Sequence, residues 1–134
     1  MIVVAAVLAV LAALVHVYIF VLETLRWEAP ATRRIFGTTA ESAAVTKALA
    51  ANQGVYNLLL AGVAAAGAVL VLIADPTSGE RAAGDALLVA GLGSMLVAAG
   101  YLVATDRSKL RAAAVQGTLP LIGLVALAVA TTLA

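Results

Sequence analysis

The chain has 134 residues, 64% of them hydrophobic and 11% charged, with a mean hydropathy of +1.12. A water-soluble fold of that size has too little interior to hide so much apolar surface, so the medium around its outside is lipid. A net charge of +1 with 4% aromatic residues excludes the basic field and stacking surface of a nucleic-acid binder, and the absence of cysteine excludes disulfides, thiolate catalysis, thiolate metal sites and quinone-linked thiol chemistry.

The first apolar run, residues 2–22, is broken only by His16 and Tyr18. At about 1.5 Å per residue it is long enough to cross a hydrocarbon core of roughly 30 Å. No basic stretch precedes it and it is too long for a cleavable leader, so it reads as a retained span. The polar stretch 23–47 is expected to carry a cytoplasmic loop helix. Thr38, with Glu41 three residues on, fits a capping box that would start a helix running into span two, residues 48–74. The alternative is a break at Asn52-Gln53-Gly54, and the continuous helix is the expected form. Asp75 to Glu80 reads as a turn from its Pro and Gly content, residues 82–105 as span three, 106–111 as a tight charged loop and 112–134 as span four. Pro120 suggests a kink near Gln116 and Gly117. Backbone groups in hydrocarbon must be satisfied within each segment, which makes these runs helices. The expected fold is all-α, a single transmembrane domain over residues 1–134 built as an integral membrane four-helix bundle.

Seven of the eight basic residues lie in loops one and three: Arg26, Arg33, Arg34 and Lys47, then Arg107, Lys109 and Arg111. The positive-inside bias places those loops in the cytoplasm and both termini outside, in the cell's plasma membrane. The loop-three cations serve chiefly as a topology signal, and they also suit contact with anionic headgroups. Helix association in lipid depends on small residues. Ala90, Ser94 and Ala98 are spaced four apart, Gly84, Gly91, Ala98 and Thr105 seven apart, and Ala61 and Ala65 lie near the face of Gly54. Such stripes are expected mainly as seams within the bundle, and homo-oligomerisation through them is a further expectation.

Ionisable groups inside a membrane are costly and therefore informative. On an ideal helix His16, Phe20, Glu23 and Trp27 fall within about 40° of one another, while Asn52, Gln53, Tyr56 and Asn57 span an arc of about 140° on span two, with Gly54 facing away. Tyr101 ends span three and Gln116 opens span four, so all of these residues gather at the end carrying loops one and three. His16 and Glu23 are the expected catalytic or proton-carrying pair. Asn52, Gln53, Tyr56, Asn57, Tyr101, Gln116 and Trp27 are the expected ligand-binding set. Trp27, Tyr101 and Gln116, taken singly, equally suit interfacial anchoring. Two ligands fall short of a metal site, so no metal is expected, and no cofactor is specified, although a lone histidine suits axial haem ligation.

The stretches His16 to Glu23, Trp27-Glu28-Ala29-Pro30, Phe36-Gly37, Thr46 to Asn57 and Gln116-Gly117 resemble the domain of unknown function 1304 family of small membrane proteins. The Thr-Lys-x-Leu-Ala-x-Asn-Gln-Gly-x-Tyr-Asn run is the specific part. The resemblance implies four spans and supplies no reaction. The residues themselves suggest binding or proton-coupled transport of a small molecule. The alternatives are a membrane-embedded enzyme, with His16 as acid/base, Glu23 as its orienter and a lipophilic substrate, or an accessory subunit without chemistry.

Overall fold

The computed structural model describes residues 1–132; residues 133 and 134 of the expected fourth span lie outside the described residues. Within them the chain is helical, with no strand: α1 (Ile2–Phe20), a π-helical turn (Val21–Leu25), α2 (Pro30–Phe36), α3 (Ala40–Ile73), α4 (Gly79–Thr105), one 3-10 turn (Arg107–Lys109) and α5 (Leu110–Thr132). Four of the helical stretches are long and apolar enough to cross a membrane: Ile2–Leu25, Ala40–Ile73, Gly79–Thr105 and Arg107–Thr132. The chain is a multi-pass membrane protein, and α2 is the helix between its first two spans.

The ends of the helices follow local chemistry. The second long helix is continuous through Asn52-Gln53-Gly54. Its cap is one residue later than the capping box implied: Thr39, not Thr38, has the extended conformation and accepts the Ser42 N–H, at 3.1 Å. Glu41 is thus at the second helical position, suited to the helix dipole but not to a reciprocal box. Pro30 opens α2, where its missing N–H is harmless. Gly37, at φ 67°, closes it in the left-handed region that favours glycine, and the Gly37 and Thr38 N–H groups both reach the Arg33 carbonyl. Asp75 and Asp106 each organise a loop. Hydrogen bonds from Thr77 hold the Asp75 carboxyl below its ordinary range, and those from Ser108 do the same for Asp106. α5 continues through the buried Pro120 without a break.

The long helices form a ring in which α1 and α4 each pack on α3 and α5, leaving α1 and α4 on the diagonal. The interior is dominated by small side chains: Ala5, Ala6, Ala9 and Ala12 of α1 meet Ala64 and Ala68 of α3, with Leu88, Leu92 and Met95 of α4 filling the middle. Close approach is built in at glycine. A Cβ at Gly91 would lie 3.0 Å from the Ala64 backbone nitrogen, and one at Gly67 only 2.8 Å from that of Leu88. Gly84 and Gly91 of the seven-residue stripe are therefore in the α3–α4 seam, as expected. Ala98 and Thr105 of that stripe are exposed, and so is the whole Ala90, Ser94, Ala98 series. That series is not a seam within the bundle. It lines an open depression of about 600 Å³ with Val89, Gly93, Val97 and Tyr101, because the α4 face turned to α3 and α5 is set by Gly84, Leu88, Gly91, Leu92 and Met95.

Candidate functional site

The site begins where α1 gives way to the π turn. A π turn holds an extra residue, so side chains beyond Phe20 are rotated relative to a regular α-helix. The turn carries Glu23 and Thr24 against α3 at three successive points. Thr24 Oγ1 donates to the Ala51 carbonyl at 3.1 Å. Gly54 then lets the backbones close: a Cβ there would overlap Thr24 Oγ1 and lie 3.1 Å from Glu23 Cβ and 3.2 Å from the Phe20 carbonyl oxygen. One turn further on, Asn57 Nδ2 donates to Glu23 Oε2 at 2.9 Å and shares a second contact, 3.2 Å, with the Gln53 carbonyl. Ala51, Gly54 and Asn57, spaced three apart, are thus the docking face of α3, and Gly54 faces Glu23 where the ideal wheel had turned it away.

His16 is 1% exposed, within the alanine-lined face of α1. Its Nδ1 lies 2.9 Å from the Ala12 carbonyl. A carbonyl can only accept, so that contact requires the proton on Nδ1 and leaves Nε2 as the proton-exchanging atom. Among the described residues no hydrogen bond or ion pair joins His16 to Glu23. They are seven residues apart, about 10 Å along a helix axis, and act as separate groups.

The remaining expected site residues divide. Asn57 joins Glu23 directly. Asn52, Gln53 and Tyr56 share its helix but are exposed on the outer surface, and Tyr101 is 72% exposed beside the α4 depression. Gln116 is half-buried on the α5 face that also carries Ala113, Gly117 and Pro120. Trp27 leaves the face of His16 and Glu23 because the helix ends at Leu25. Its indole Nε1 donates to the Ala43 carbonyl at 3.1 Å and Thr46 Oγ1 at 3.2 Å, and its ring meets Phe36 edge-on at 5.0 Å. That geometry ties loop one to the start of α3. Thr24 is not among the residues the sequence singled out, and Gly54 was expected on the opposite face. The three-residue spacing of Ala51, Gly54 and Asn57 is present in the sequence, but that it faces Thr24 and Glu23 follows only from the π turn.

No group of three or more His, Asp or Glu side chains able to hold a metal ion occurs among the described residues. What the arrangement supplies is a half-buried carboxylate held by an amide across a helix seam, with a buried imidazole farther along the same helix. No curated protein and no solved structure matches the chain. A family model described as a protein of unknown function (DUF1304) matches residues 10–128, which takes in the π turn, the α1–α3 docking face, α3 and α4 whole, and most of α1 and α5. On that match the chain belongs to the DUF1304 family.

Proposed function

We propose that this membrane protein binds, and carries across the membrane, a small molecule whose occupancy is coupled to proton exchange at Glu23 and, farther along the helix, at His16. The observation that carries the reading is the 2.9 Å bond from Asn57 Nδ2 to Glu23 Oε2 inside the α1–α3 seam. A carboxylate within a membrane-length helix is costly to keep unless something needs it. Among the described residues no cation pairs with Glu23; an amide alone holds it. A ligand bringing a hydrogen-bond donor or a positive charge would compete with Asn57 for that oxygen, which is how a proton and a solute can exclude each other at one site. The lack of a bond between Glu23 and His16 favours this over acid–base catalysis, where the carboxylate would orient the imidazole.

The proposed setting is the plasma membrane, with loops one and three in the cytoplasm and both termini outward; the presence of seven of eight basic residues in those loops supports that orientation. The test is uptake into proteoliposomes carrying an imposed pH gradient. One probe is an amphiphilic cation, tetraphenylphosphonium, and the other a neutral polar solute, glycerol. Gradient-dependent uptake of either is expected, lost in Glu23→Gln and reduced in His16→Ala. Uptake that ignores the gradient, or survives Glu23→Gln unchanged, would sink the proposal.

A further inference from the structure

The end of the bundle that carries loops one and three holds seven cationic side chains against four carboxylates, while the opposite end holds one cation against three. Only one ion pair, Lys47 with Glu28, forms at the cationic end among the described residues. Arg33 and Arg34 of α2 have no carboxylate partner there. They line a shallow depression of about 580 Å³ with Pro30, Gly37 and Thr38. Arg33 Nε is shielded from solvent and has no acceptor among the described residues. A desolvated guanidinium donor without an acceptor is unfavourable, and its fork geometry matches phosphate oxygens. At the rim of the same depression, Lys109 reaches across from loop three. Its Nζ donates to the Phe36 carbonyl at 2.8 Å and lies 3.6 Å from the position a Gly37 Cβ would take. One of its three protons is used in that bond and two remain.

We propose that this depression binds the phosphate of an anionic phospholipid headgroup, with Arg33 and Arg34 as its principal ligands and Lys109 at its edge. Two features select a lipid over a free anion. The depression lies at the ends of membrane-length helices, between the close of α1 and the start of α3. Ile35, next to Arg34, is 57% exposed. An apolar side chain so placed suits the boundary between headgroups and acyl chains, where amphipathic segments with basic polar faces settle. α2 is then a headgroup clasp, fixed on one side by the Trp27 ring on Phe36 and on the other by Lys109.

Trp27 is the single tryptophan, so its fluorescence reports on the clasp without labelling. The full chain is reconstituted in phosphatidylcholine containing brominated phosphatidylglycerol or brominated phosphatidylcholine, and quenching of Trp27 gives the relative association of the two lipids. Two arginine contacts predict a preference of about thirtyfold for phosphatidylglycerol. It should fall close to equality in Arg33→Gln/Arg34→Gln and persist in Arg107→Gln/Arg111→Gln, which removes equal charge elsewhere at that end. Arg34→Gln alone, at an exposed position, should lower it about fivefold and covers the case in which the double variant does not fold. Equal quenching by both lipids in the unmodified chain overturns the proposal, as does an equal loss in the two double variants, which would mean a diffuse field. Sodium phosphate that abolishes the preference, where sodium chloride of the same ionic strength does not, would assign the depression to a soluble anion and overturn the lipid assignment.

Discussion

Glu23 and Asn57 are the pair on which the candidate site depends, and their chemistry makes different substitutions separable. Asn57→Leu leaves Glu23 Oε2 without its amide in a half-buried seam. A stranded carboxylate there should cost about 1–3 kcal/mol, read as a lower midpoint in thermal melts followed by Trp27 fluorescence in detergent. Glu23→Gln keeps an acceptor for Asn57 Nδ2, so its midpoint should stay within about 1 kcal/mol of the unmodified protein while the proposed proton coupling is lost. If Glu23→Gln melts as early as Asn57→Leu, the charge itself supports the fold and the functional reading weakens. His16 and Glu23 were legible in the sequence because an imidazole and a carboxylate interrupt an apolar run. The exposure of Asn52, Gln53 and Tyr56 was not legible, because a wheel drawn at 100° per residue gives their relative angles but not which part of the arc the neighbouring helix will cover.

Between elements, the π turn decides how α1 meets α3, and Gly54 decides how closely. Gly54→Ala would set a methyl against Glu23 Cβ and the Phe20 carbonyl, at 3.1 and 3.2 Å. Thr24 can rotate away, but the backbone carbonyl cannot, so a loss of about 1–3 kcal/mol is expected. Gly62→Ala meets nothing within 4 Å and is the matched control. It should melt with the unmodified protein or slightly above it, since alanine suits a helix better than glycine. Loop one offers a second check. Trp27→Phe keeps a ring for Phe36 and removes the donor to Ala43 and Thr46. Faster trypsin cleavage after Arg33 and Arg34 is expected, with the long helices unaffected. Four spans could be read from hydropathy because lipid demands long uninterrupted apolar helices. The π turn could not, since Val21 to Leu25 are ordinary helix-compatible residues and the irregularity pays off only against Gly54 and Asn57 of another helix. The one-residue error in the α3 cap has a similar origin: Thr38 and Thr39 both suit an N-cap, and the Gly37 closure of α2 leaves the second threonine in place to cap α3.

For the whole molecule the decisive quantity is which end faces which compartment, because a site near one membrane face draws its protons and its ligand from that side. The proposed orientation, with loops one and three inside, rests on the charge asymmetry, and the chain contains no cysteine, so a single introduced thiol reports its own location. Ser78→Cys lies at the turn between α3 and α4, where the Ser78 side chain caps α4, and Ser108→Cys lies in the 3-10 turn before α5. Ser108 is exposed and Ser78 half-buried, so both thiols are reachable; the change at 108 removes a loop hydroxyl and the change at 78 the hydroxyl that caps α4. In intact cells a membrane-impermeant maleimide should label the thiol at 78 and leave the one at 108 unmodified until the membrane is opened. The reverse pattern would invert the bundle and place the Glu23 seam and the α2 depression on the outer face, where fewer anionic lipids are available to the arginines. Labelling of both positions in intact cells would mean that the chain inserts in two orientations. That outcome can be tested directly: changing Arg107, Lys109 and Arg111 together to glutamine leaves loop one as the only strongly basic loop. Because the bias is counted over short loops near the span ends, that triple variant should shift some molecules to the opposite orientation, seen as partial labelling at 108 in intact cells, while Arg81→Gln should leave the pattern unchanged.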